Sequence, residues 1–103
     1  MYWNYGMNSY INYNSQTINI SYPESAKRIY VYGIWDNFGN IIVNGKTLVG
    51  FSGGGDILQE SSNTVDYLYV DPQRKGQITM ESSCINYKGP YGIITVYLKV
   101  FYK

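Results

Sequence analysis

The sequence predicts an all-β fold, a two-sheet antiparallel β-sandwich of about eight strands. Three observations predict it. Short runs of alternating apolar and polar residues recur, with turn residues between them at spacings of roughly 8–12 positions. No segment sustains helical spacing; Ala occurs once and Leu is sparse. Tyrosine is heavily enriched, with 13 copies against three Phe and two Trp. Its ring suits a pleated, half-buried surface. The 103 residues fit one domain, 1–103, and 45% hydrophobic content with 15% charge is too apolar for disorder.

The strands follow in order. Gln16–Tyr22 alternates, with Ile18, Ile20 and Tyr22 on one face, and Pro23-Glu24-Ser25 ends it. Arg28–Trp35 is apolar on both faces, which marks a central strand. Asp36-Asn37-Phe38-Gly39 is a turn. Asn40–Val43 and Lys46–Gly50 flank Asn44-Gly45, the strongest hairpin signal in the chain, because a type I′ turn needs positive φ at both central positions. Ser52-Gly53-Gly54-Gly55-Asp56 is a loop. Thr64–Val70 is expected to be a strand ending at Asp71-Pro72. Gly76–Glu81 points Ile78 and Met80 inward, Cys84–Tyr87 is a short strand, and Lys88–Gly92 is a loop. Ile93–Tyr102 is the longest strand, with Ile94, Val96, Leu98 and Val100 on one face. Eight strands in two sheets is the number of a jelly roll.

Composition argues against several functions. One cysteine, Cys84, permits no intrachain disulfide, and with no His it lacks a base to activate it. The familiar hydrolytic triads and zinc ligand sets need His or further Cys. The seven carboxylates mostly sit beside turn residues, where capping explains them. The chain reads as a non-enzyme. A net charge of +1, with only Lys27–Arg28 and Arg74–Lys75 adjacent, is too thin a basic surface for a typical nucleic-acid binder. No apolar run approaches the roughly 20 residues of a membrane span. The N-terminus lacks a basic segment followed by an apolar stretch, so no secretory signal is expected. That leaves a cytoplasmic or virion-associated protein, or one released by a non-classical route.

Sugar binding needs an aromatic face for the apolar side of the ring and planar amides or carboxylates for the hydroxyls. Trp35, Asp36, Asn37, Phe38, Asn86, Tyr87 and Tyr91 supply both beside loops and are the expected ligand-binding residues. The alternative is that Trp35 is core and each tyrosine a cross-strand packing partner. Thirteen tyrosines nevertheless exceed what so small a core can bury with satisfied hydroxyls, so several are expected at the surface. Asp36, Asn37 and Asn40 lie within five residues and offer oxygen ligands for calcium. A plain turn accounts for the same residues and is the favoured reading, so either no cofactor or calcium is expected.

Two stretches resemble the calcium-dependent galactose-binding lectins of bacteria, small jelly rolls made without a signal peptide. One is Lys27–Gly39, a strand followed by Gly33, Trp35 and the Phe38-Gly39 turn. The other runs from Leu48 to Met80 through a Gly-rich loop, Asn63-Thr64, an aromatic strand, Val70-Asp71-Pro72 and Gly76-Gln77-Ile78-Thr79. The resemblance implies a galactose-binding-like jelly roll. Those lectins place an Asp, a Thr and paired Asn before the last strand to hold calcium and sugar. Here Asn86–Gly92 carries no carboxylate, so the resemblance supports the fold more than the ligand set. Asp36–Gly45 also resembles a hairpin of phage tail-fibre tips and of sugar-binding sandwiches of the protective-antigen type. The expected function is a lectin-like module with a glycan partner. The alternative is a structural or adhesive assembly domain, a homo-oligomer whose exposed tyrosines form the interface.

Overall fold

The structure is a computed structural model that describes the backbone of residues 2–8, 15–35, 38–50, 59–74, 76–85 and 93–102, and the side chains of 17–35, 39–50, 59–74, 76–82 and 96–102. The elements are β1 (Tyr2–Asn8), β2 (Ser15–Ser21), β3 (Ala26–Trp35), β4 (Phe38–Val43), β5 (Lys46–Val49), β6 (Gln59–Asp66), α1 (Tyr67–Val70), β7 (Gln77–Ile85) and β8 (Ile93–Tyr102). Two four-stranded sheets form, in the orders β1-β8-β3-β6 and β2-β7-β4-β5. Every pairing is antiparallel. Consecutive strands β1 to β4 cross between the sheets, and the chain pairs non-neighbours in sequence, which is the wiring of a jelly roll.

The sheets bury their inner faces against each other. β3 presents Ile29, Val31 and Trp35, and β8 presents Val96, Leu98 and Val100. Facing them are Ile20 from β2, Ile78 and Met80 from β7, and Ile41 and Val43 from β4. These belong to one core cluster. β3 lies between β8 and β6, as its two apolar faces predict. The Asn44-Gly45 turn has φ of 48° and 80°, the two positive values that a type I′ hairpin requires.

Phe38-Gly39, expected in a turn, begins β4, and Cys84, expected to open a separate short strand, lies within a continuous β7; two larger differences stand beside these. The strand expected at Thr64–Val70 ends at Asp66, and the chain then makes one helical turn. The Asp66 side chain accepts from the Leu68 N–H at 2.8 Å and starts that turn. Tyr67 and Val70, three apart, go into the core, while Leu68 and Tyr69 stay exposed; three-residue spacing beats the apparent alternation of Val65, Tyr67 and Tyr69. β6 itself extends back to Gln59 through a polar stretch that carries no apolar signal. The second difference is at the N-terminus, where Tyr2–Asn8 forms an edge strand on β8. Among the described residues no helix is long and apolar enough to cross a membrane.

Candidate functional site

Strand register brings several strand ends to one end of the sandwich. Asn8 lies opposite Thr95, Ser15 opposite Ser83, Phe38 opposite Ile85, and Trp35 opposite both Gln59 and Ile93. The strand ends that lead into 36–37 and 86–92 therefore share this end. Asp36, Asn37, Asn86, Tyr87 and Tyr91 lie outside the described residues, as does the side chain of Phe38. The calcium expectation thus reaches the described structure only at Asn40, whose main-chain carbonyl accepts from Ser82 Oγ at 2.9 Å. Among the described residues no three or more acidic, His or Cys side chains cluster as a metal site.

Trp35 requires a correction. It was expected to offer a stacking face beside a loop, but it is 1% exposed and lies in the core. Its indole N–H donates to Ser82 Oγ of the opposite sheet at 3.3 Å. Its ring folds back over Gly33, where a Cβ would sit 2.3 Å from Cζ2. The missing side chain at Gly33 makes the space, and burial of so large a ring fills it. Trp35 thus joins the two sheets.

The aromatic surface lies elsewhere, on the outer face of the β1-β8-β3-β6 sheet. In register, Tyr30 pairs with Lys99 and Tyr32 with Tyr97. On the other side of β3, Tyr30 pairs with Thr64 and Tyr32 with Ser62. Period-two alternation puts all these side chains on the side away from the core. Tyr30, Tyr32, Tyr97 and Lys99 enclose a shallow hollow of about 400 Å³. The rings of Tyr32 and Tyr97 are 6.4 Å apart and tilted by 36°. Tyr97 is 44% exposed, and the other two are half-buried.

Polar groups fix the rings. The Tyr32 hydroxyl donates to Glu60 Oε2 at 2.8 Å, and that bond raises the phenol's pKa. The Lys99 ammonium stands 5.8 Å from the centroid of the Tyr30 ring, a cation–π approach. The result is a rigid shelf of phenol rings flanked by an ammonium and a carboxylate. Such a shelf can stack on the apolar face of a flat ligand and bond its hydroxyls at the margin.

No family profile and no curated protein matches the sequence. Solved structures do. The chain superposes over 96% of its length on 86% of the CBM36-1 domain of a multidomain xylanase from the hindgut metagenome of Trinervitermes trinervoides, with a TM-score of 0.53 and 16% identity. The chain shares the jelly-roll fold of that domain. A second match, the protein YXIM of Bacillus subtilis, has a TM-score of 0.51 and 12% identity over 84% of this chain. That match spans only 22% of the longer protein. At such identities the likeness is one of fold.

Sequence reasoning expected exposed tyrosines but missed the shelf because it sought the site aromatics beside loops. The signal was present within each strand: Tyr30 and Tyr32 share one face of β3, and Tyr97 and Lys99 share one face of β8. The pairing of those strands, which sets Tyr32 opposite Tyr97 and Tyr30 opposite Lys99 from distant parts of the chain, is what brings the four together.

Proposed function

We propose that this chain is a non-catalytic carbohydrate-binding module that lays a glycan along the outer face of β3 and β8. The single observation that carries this reading is the shelf of Tyr30, Tyr32 and Tyr97 with Glu60 and Lys99 at its margins. Sharing the fold of a carbohydrate-binding domain supports it. From Tyr32 and Tyr97 the strands run on to Trp35 and Ile93, roughly 10 Å further at strand rise. A ligand following that line reaches the strand ends that border Asp36, Asn37, Asn86, Tyr87 and Tyr91 in sequence. Those loop residues extend the same site, with amides and a carboxylate for hydroxyls, and with calcium held by Asp36, Asn37 and Asn40 if metal takes part.

A glycan array with and without calcium, followed by calorimetry on the hits, tests this. Tyr97→Ala is expected to weaken binding about tenfold, close to 1.4 kcal/mol, with the fold intact because the ring is exposed. An array without hits in both conditions, or a Tyr97→Ala variant that binds like the parent, sinks the proposal. A second reading, an assembly domain, draws on Leu68 and Tyr69, which are adjacent and 45% and 53% exposed. Light scattering separates the two: a stable oligomer that ignores glycans favours assembly, and a monomer that binds them disfavours it.

A further inference from the structure

A second hollow lies on the other sheet, at the end of the sandwich away from Phe38 and Ile85. It holds about 560 Å³ between β2, β7, the β4–β5 turn and the segment after α1. That is within the range of roughly 300–1,000 Å³ of small-molecule sites. Its walls are cross-braced. Asn44 donates from its main-chain N–H to the Thr79 carbonyl at 2.9 Å. Its side-chain oxygen accepts from the Thr79 N–H at 2.9 Å, and its amide nitrogen donates to the Val70 carbonyl at 2.7 Å. One side chain thus ties the hairpin turn to β7 and to α1. Below, the Tyr22 hydroxyl donates to the buried Asp71 carboxylate.

The polar groups facing the hollow are different in kind from those in its walls. The Asn19 side-chain oxygen accepts from Thr79 Oγ1 at 2.7 Å, while its amide nitrogen has no protein acceptor among the described residues. The side-chain amides of Gln73 and Gln77 likewise have no protein partner there. Lys46 projects at the rim, its ammonium 4.8 Å from the centroid of the exposed Tyr69 ring. Among the described residues no carboxylate pairs with Lys46. Asp71, the one acid in the lining, is 5% exposed and engaged by Tyr22. Among the described residues, the charge that the hollow shows to solvent is therefore a single ammonium, set among unspent amides and beside an aromatic ring.

We infer that this cleft is a second glycan site that takes a carboxylate-bearing sugar unit, a hexuronate. Lys46 pairs with the carboxylate, Asn19, Gln73 and Gln77 bond the hydroxyls, and Tyr69 flanks the ring at the rim. The inference shares the view of the chain as a glycan binder but uses none of the residues of the tyrosine shelf.

The test is a titration of the isotopically labelled chain, followed by NMR, with a hexuronate oligomer and with a neutral hexose oligomer of equal length. The hexuronate is expected to shift the amide signals of Asn19, Asn44, Gln77 and Thr79. Lys46→Met, which keeps the aliphatic stem against Tyr69, is expected to raise Kd about tenfold, and Lys46→Arg to restore binding through a paired guanidinium. Tyr97→Ala is expected to leave this binding unchanged, so loss of the shelf and loss of the cleft are read separately. Shifts confined to β3 and β8, no shifts at all, a neutral oligomer that binds the cleft equally well, or an indifferent Lys46→Met would each overturn the inference.

Discussion

Tyr22 brings a polar atom into the core and finds it a partner in Asp71. Burial first, then the bond to that carboxylate and its charge, raise the phenol well above its ordinary value of 10.0. The neutral form is favoured in the folded state. The contribution to stability is thus complete below about pH 10, the unfolded value, and is lost as pH climbs toward the higher folded value. Urea unfolding at pH 8 to 11 should show the parent losing stability above pH 10 and Tyr22→Phe losing less. At pH 7 the variant should be weaker by about 1–3 kcal/mol, because a buried carboxylate loses its donor. Identical alkaline slopes would discount the Tyr22–Asp71 bond. Gly33→Ala is expected to cost about 1–3 kcal/mol by forcing the Trp35 ring out of place; a denaturation midpoint equal to the parent's would show that the ring does not lie there. Trp35 itself was ambiguous in sequence, since it ends a strand and precedes a turn. The residue that decides it is Gly33, two places earlier on the same face, whose absent side chain leaves the gap.

The elements that sequence made legible are those where alternation is strong and one face is buried. β2, β3 and β8 begin and end within about two residues of expectation. β6 was harder because it is an edge strand paired on one side, with most of its side chains half-buried or exposed. Pairing with β3 holds it there, and so does Asn63, whose amide donates to the Leu48 carbonyl of the other sheet at 2.9 Å; neither tie leaves an apolar pattern. α1 was misread because one helical turn is too short to show a period. The β4–β5 turn was legible from two residues. Asn44→Ala should cost about 2–4 kcal/mol, combining a left-handed backbone with lost side-chain bonds to Thr79 and Val70. Asn44→Gly should recover the backbone share alone. Thermal unfolding of the two variants measures the split, and equal midpoints would show that the side-chain bonds carry the whole effect.

At the scale of the molecule, about eight strands in two layers could be counted from turn spacing, but their order could not. Two central strands, β3 and β8, arrive from opposite thirds of the chain and place Tyr32 against Tyr97. The sequence therefore supplied the phenols and the expectation that some reach the surface, while topology chose which ones meet. Trp35, Phe38, Ile85 and Ile93, which border the loop candidates in sequence, share an end of the sandwich for the same reason: alternate connections in an antiparallel wiring return to one side.

β3 is paired along both edges and so is β8, each being an interior strand of its sheet. Their amide protons should be among the slowest in the protein to exchange with deuterated solvent. A partner settling on these rings would therefore meet scaffolding already set. Exchange in the two strands should hardly slow on complex formation, and little of the binding free energy would be spent on ordering the surface.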